Sequence, residues 1–93
     1  MSQVKYSPVY DELEIIFKES SVTSIHETSN GIILEFDGDE LARIIAPYFS
    51  QSIPMPITEH TNFTYERVDF SDPIMIVVVK VDTLIINIKV DFS

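Results

Sequence analysis

The strongest constraint on the fold is the block at residues 73–93, which reads PIMIVVVKVDTLIINIKVDFS. It is the longest apolar block in the chain, and the remaining residues have to cover it. A two-residue turn at Asp82-Thr83 pairs Val81 with Leu84 and folds the block into a β-hairpin. Asp-Thr is not one of the favoured hairpin turns, and a four-residue loop gives the same pairing.

This register places an apolar set on one face of the hairpin, because strand side chains alternate between faces. The set comprises Met75, Val77, Val79, Val81, Leu84, Ile86, Ile88 and Val90. A shift of one residue would scatter it over both faces, so the pattern supports the register. The opposite face is mixed, and its apolar members Ile74, Ile76, Val78 and Ile85 have no assigned cover. We therefore treat these four residues as a candidate oligomer interface.

Residues 63–70 (FTYERVDF) predict a third strand beside this hairpin. A loop of Ser71–Ile74 sets Phe70 beside Met75 and Val68 beside Val77, which extends the apolar face. The same parity puts Glu66 on that face further back, so either a bulge intervenes or the strand leaves the core there.

Two segments carry helical spacing. Ser7-Pro8 is a favourable helix start, and Val9, Leu13, Ile16 and Phe17 recur at helical intervals after it, with Ile15 on the opposite side.

The second helix is expected from Glu40 onward, with Asp37 or Asp39 as its N-cap. Its apolar stripe is Leu41, Ile44, Ile45, Tyr48 and Phe49. Pro47 removes a main-chain donor, so this helix ends or kinks near Ala46.

Between the two helices, Asn30-Gly31 is the strongest short turn signal in the chain and predicts another hairpin. A two-residue turn there puts Ile25 on the core face and sets His26 opposite Glu35 on the exposed face. Residues 50–62 read as a proline-containing loop, whose apolar Ile53, Met55 and Ile57 either cap the core or form a contact patch.

The expected order of elements is α-β-β-α-β-β-β within a single domain, residues 1–93. This order predicts an α+β fold, in which two helices pack on one face of a mostly antiparallel five-stranded sheet.

Charge is the most informative feature for function. Fifteen acidic against six basic residues give a net charge of −9. Proteins that bind nucleic acid directly are normally basic, so we expect no such binding. An acidic surface is instead attracted to basic protein surfaces.

Catalytic equipment is sparse. The chain has no cysteine, and its two histidines, His26 and His60, each lack a second histidine at metal-binding spacing. No phosphate-binding loop, calcium loop or nucleophile motif occurs. We therefore expect no metal, no cofactor and no enzymatic activity. The longest apolar run, residues 74–79, is too short for a membrane helix, and no signal peptide is evident, so a cytoplasmic location is expected.

The acidic residues suggest a surface for a basic partner. The candidates lie near the first helix and around the start of the second: Asp11, Glu12, Glu14, Glu35, Asp37, Asp39 and Glu40. Together these features favour a small acidic inhibitor of a nuclease or another nucleic-acid-handling protein. Immunity proteins and phage anti-defence inhibitors, some of which mimic nucleic acid, are of this kind. The alternative is a homodimer or larger assembly joined through the C-terminal hairpin.

Overall fold

The computed structural model describes residues 2–92, which form eight β-strands, one 3-10 helix and no α-helix. The strands are β1 (Gln3–Ser7), β2 (Glu12–Ile16), β3 (Ser24–Glu27), β4 (Ile33–Asp37), β5 (Glu40–Pro47), β6 (Phe63–Ser71), β7 (Ile74–Val81) and β8 (Leu84–Asp91). The 3-10 helix, Phe49–Ser52, follows β5.

The strands form two antiparallel sheets. The N-terminal sheet has the order β1-β2-β5-β4-β3, and the C-terminal sheet has the order β6-β7-β8. Side chains from both sheets meet in one apolar core, which includes Leu13, Leu34 and Ile44 from the first sheet and Val77 and Val79 from the second. The fold is therefore an all-β sandwich, and the predicted α+β arrangement with two helices on one sheet is wrong.

The first predicted helix is the β1–β2 hairpin. Leu13 and Ile15 are fully buried, whereas Val9 is 83% exposed in the connecting turn. Alternation therefore governs this segment, and Ile15, expected on an exposed side, belongs to the core. Asp11 closes the turn at a φ of 53°, a left-handed conformation that Asp tolerates better than most residues.

The second predicted helix is strand β5. Its buried positions are Ala42, Ile44 and Ala46, which alternate as in a strand, and Pro47 is its last residue. Glu40 pairs with Asp37 across the β4–β5 turn instead of completing a helix cap. The strand hydrogen-bonds to β2 on one side and β4 on the other, so distant segments override its local helical spacing.

The Asn30-Gly31 hairpin forms, but its predicted register is wrong by one residue. Thr28 N donates to Ile32 O (2.8 Å), so three residues form the loop, and Gly31 takes the positive φ of 86°. The shift turns Ile25 outward, where it is 66% exposed and pairs with Glu35. His26 consequently pairs with Leu34, and the expected His26–Glu35 pair does not form.

The C-terminal sheet confirms the predicted pairing. Val81 faces Leu84 and Met75 faces Val90, and every pair between them follows the expected register. Strand β6 pairs Phe70 with Met75 as predicted, and a bulge between Tyr65 and Arg67 returns Tyr65 to the core.

The loop after β5 caps the core, which was one of its two predicted roles. Ile53 is 8% exposed within the core, and Met55 and Ile57 pack against it. Among residues 2–92, no helix is long and apolar enough to cross a membrane.

Candidate functional site

Two of the predicted partner-binding acids neutralise an arginine on the outer face of the N-terminal sheet. Arg43 lies between Glu14 on β2 and Glu35 on β4, because β5 runs between these strands. Its Nη1 donates to Glu14 Oε1 at 3.0 Å, and its Nε lies 3.1 Å from Glu35 Oε1. Arg43 therefore offsets one of these two negative charges, and the three side chains together keep a net charge of −1.

Asp11 stabilises the fold through hydrogen bonds within the chain. Its carboxylate accepts hydrogen bonds from Tyr6 Oη (2.6 Å), Ser50 N (2.9 Å) and Ser50 Oγ (2.6 Å). These bonds tie the β1–β2 turn to the 3-10 helix, and Phe49 N adds a bond to Asp11 O at 3.0 Å. The bonds from Ser50 and Tyr6 lower the pKa of Asp11, and the bond to Asp11 raises the pKa of Tyr6 to about 12.

Three of the predicted acids, Asp37, Asp39 and Glu40, lie at the β4–β5 turn, which meets the segment after β2. We call this surface the acidic tip, and it consists of Lys18, Glu19, Asp37, Asp39 and Glu40. Lys18 Nζ lies 3.0 Å from Glu40 Oε2 and 3.6 Å from Asp37 Oδ2, and these carboxylates raise its pKa, with Glu40 contributing most.

Thr23 holds the two segments of the acidic tip together. Gly38 N donates to Thr23 Oγ1 at 2.8 Å, and Thr23 N donates to Phe36 O at 2.8 Å. The tip therefore presents four acids and one base on a connected backbone, and its Asp39 and Glu19 are exposed without an ion pair among the described residues.

The predicted acidic residues thus fall into separate places. Asp11 and Glu12 lie beside Pro47 at one end of β5, and the acidic tip lies at the other end, beyond Glu40. Glu40 and Pro47 are seven residue steps apart in extended chain, about 23 Å at about 3.3 Å per residue. Glu14 and Glu35 occupy the sheet between these ends, paired with Arg43.

The four residues of the candidate oligomer interface lie on the outer face of the C-terminal sheet, away from the core. Ile74 and Ile76 are half-buried, Val78 is 1% exposed and Ile85 is 53% exposed. Val78 sits between Arg67 and Asn87 in the neighbouring strands, so of these four residues Ile85 presents the most open apolar surface.

Sequence reasoning missed a cleft of about 510 Å³ at the open side of the sandwich. Apolar residues from both sheets line it: Ile32, Ala46, Phe49, Ile86 and Ile88. Tyr48 also lines it, at a left-handed φ of 55°, and 67% of this residue is exposed. A positive φ at a non-glycine residue carries no signal in the sequence, so only the structure reveals how Tyr48 is presented.

A second cavity of about 470 Å³ lies beside Tyr6 and Phe63, whose rings stack with centroids 5.4 Å apart. Glu59 lines this cavity, and His60 Nε2 lies 3.4 Å from Glu59 Oε1 with both side chains 87% exposed. Within residues 2–92, no three His, Cys, Asp or Glu side chains converge in a metal-binding arrangement.

Comparison with protein-family models, curated proteins and solved structures finds no match to this chain. The acidic tip carries four acids and one base on a hydrogen-bonded backbone.

Proposed function

We propose that this chain is a small, non-enzymatic cytoplasmic protein that binds and inhibits a basic protein partner through the acidic tip. The observation that carries the proposal is that Asp37 and Glu40 share a single lysine, Lys18, while Asp39 lies in the same turn and Glu19 follows Lys18 in the chain, whose net charge is −9. The partner class with a complementary surface is a nuclease or another nucleic-acid-handling protein, since its substrate cleft has to be basic. The tip would occupy that cleft as a mimic of nucleic-acid charge.

Backbone order supports this role for the tip. The hydrogen bonds from Gly38 N to Thr23 Oγ1 and from Thr23 N to Phe36 O hold the charged turn in place before binding. A pre-organised turn loses less conformational entropy when it enters a cleft, so more of the interaction energy is available for affinity.

Affinity capture from a native lysate tests the proposal, with the double variant Asp39→Lys and Glu40→Lys as the perturbation. A matched control carries Glu59→Lys and Glu66→Lys, two exposed acids outside the tip, so both variants have the same net charge. We expect the wild-type protein and the control to retain a basic partner at low salt and to lose it as salt rises. The tip variant should retain none, and adding wild-type protein should suppress the captured partner's nuclease activity.

Equal retention by the tip variant and the control would contradict the proposal. So would a captured partner that is acidic, or one whose retention is insensitive to salt.

A second candidate function is homo-oligomeric assembly through the outer face of the C-terminal sheet. Its support is Ile85, which is 53% exposed on the same outer face as the half-buried Ile74 and Ile76. Light scattering after size-exclusion chromatography tests it: a dimer that dissociates on Ile85→Lys supports assembly, and a monomer at high micromolar concentration rules it out.

A further inference from the structure

Strand β8 is an edge strand of the C-terminal sheet. Some of its main-chain N–H and C=O groups point away from β7 and are available for hydrogen bonds to another strand. Phe92 N donates inward to Pro73 O at 2.8 Å, and Lys89 O accepts from outside the sheet, from Asn30 Nδ2 at 2.8 Å. Because antiparallel ladders alternate, Ile85 and Asn87 share the outward direction of Lys89. Within residues 2–92, no hydrogen bond to the N–H or C=O of either residue is formed on that side.

The apolar cleft lies directly beside these main-chain groups. Ile86 and Ile88 of β8 form one wall, while Ala46 belongs to β5 of the other sheet and Phe49 to the 3-10 helix that follows it. The cleft's volume of about 510 Å³ falls within the range of clefts that hold ligands. A side chain attached to a segment hydrogen-bonded to Asn87 would point either into this cleft or away from it, because strand side chains alternate.

The occupant that satisfies both features is an extended polypeptide segment. A second strand can form hydrogen bonds with the free main-chain groups of β8, because both have the same residue spacing. The adjoining cleft can then accept every second side chain of the added strand. A second copy of this chain fits less well than a single segment. Asn30 Nδ2 already donates a hydrogen bond to Lys89 O, and the β3–β4 loop that carries Asn30 lies at that end of β8. The part of the strand edge that is free to pair is therefore limited to residues 85–87.

We propose that Ile85–Asn87 and the adjoining cleft form a docking site for a short extended segment of another protein, which adds to β8 as a strand. An apolar side chain of the segment enters the cleft, and a basic side chain lies near Glu27. Glu27 lines the cleft, is exposed and forms no ion pair within the described residues, while Lys89 is the only base among the lining residues. The preference for a basic segment rests on the proposed function and on the net charge of −9, whereas strand addition does not.

A random dodecapeptide display library, selected on the full chain, tests this site. The perturbation is Asn87→Pro, which removes the outward N–H and places the proline ring on the free edge without removing a β7–β8 bond. We expect enriched peptides to alternate apolar and polar residues, to be rich in Lys and Arg, and to bind the variant about tenfold or more weakly. No enrichment over the variant, or equal binding to it, would overturn the proposal.

Backbone N-methylation of an enriched peptide provides a measurement that leaves the protein unchanged. Methylation at alternate amides should abolish binding in one frame and spare it in the other, because only one set faces β8. Equal effects in both frames would refute strand addition, including in the case that Asn87→Pro does not fold.

The variant with Asp39→Lys and Glu40→Lys separates this site from the acidic tip, which lies at the far end of β5. We expect that variant to keep peptide binding while it loses the lysate partner. Loss of the peptide there would overturn the independence of the two sites. Capture by the tip together with a failed peptide selection would refute the docking site and leave the proposed function standing.

Discussion

Asp11→Asn is the substitution that most directly distinguishes a structural carboxylate from a partner-binding one. Asn tolerates the left-handed φ of 53° and keeps one oxygen acceptor, so the change removes mainly the charge and the second acceptor. It leaves the outline of the β1–β2 turn unchanged.

The expected loss follows from the contacts of the carboxylate. Three hydrogen bonds converge on it, from Tyr6 Oη and from Ser50 N and Oγ, at 2.6–2.9 Å. A hydrogen bond to a charged group contributes about 1.5–3 kcal/mol, but these bonds are partly solvated and Asn retains some of them. We therefore expect a loss of about 1–2 kcal/mol in the free energy of unfolding. A domain of this length has about 5–14 kcal/mol in total, so Tm should fall by about 5–15 °C.

The loss should also depend on pH. The pKa of Asp11 is lowered in the folded state from its ordinary value of 3.8, so the stabilisation is present above about pH 4 and disappears as pH falls through the lowered pKa. The pKa of Tyr6 is raised from 10.0 to about 12, so the contribution of its hydroxyl is complete below pH 10 and is lost between pH 10 and about 12. The difference between wild type and Asp11→Asn should therefore shrink at both extremes.

Urea denaturation followed by far-ultraviolet circular dichroism measures this difference across the pH range. Asp39→Asn is the matched control, because Asp39 is exposed and forms no hydrogen bond or ion pair within residues 2–92, and it should change stability by less than about 0.5 kcal/mol. A structural role for the Asp11 carboxylate is refuted if Asp11→Asn is as stable as this control at pH 7, or if its loss of stability is the same at every pH.

Two further substitutions test the strands of the N-terminal sheet. Ile44→Ala should lower the free energy of unfolding, measured by urea denaturation, by about 2–5 kcal/mol because Ile44 is fully buried. Ile45→Ala should lower it clearly less, because Ile45 lies half-buried on the outer face. Similar losses would contradict the alternation of β5. Gly31→Ala should cost about 1 kcal/mol through its φ of 86° alone, since an added Cβ meets nothing within 4 Å, and an unchanged urea midpoint would show that the loop relaxes.

The C-terminal hairpin could be predicted from the sequence because its hydrophobic alternation and its turn position indicate the same register. The apolar face formed by Met75, Val77, Val79 and Val81 tolerates only one register, and the turn at Asp82-Thr83 lies where that register requires it. Regular alternation along β6 would place the acid Glu66 on the core face. The bulge between Tyr65 and Arg67 avoids this and places Tyr65 on that face instead.

The helix predictions in the N-terminal half were wrong because the apolar residues there recur at helical spacing, although the segments form strands. Val9, Leu13, Ile16 and Phe17 match helical spacing, yet Leu13 and Ile15 also match a strand, and short segments do not distinguish the two. Strand β2 becomes a strand by pairing with β5, where Ile15 faces Ile44, twenty-nine residues further along the chain. Two of the buried positions of β5, Ala42 and Ala46, are too small to stand out in a hydrophobic pattern.

The acidic residues show the same division. The sequence alone determined that this chain is strongly acidic, lacks cysteine and carries one self-consistent hairpin at its C-terminal end. Only the tertiary structure decided that Asp11 accepts hydrogen bonds within the fold, that Glu14 and Glu35 share Arg43, and that Asp37 and Glu40 share Lys18. Composition and alternation are properties of single residues and their near neighbours, whereas charge compensation and strand pairing depend on which distant residues the fold brings within a few ångströms.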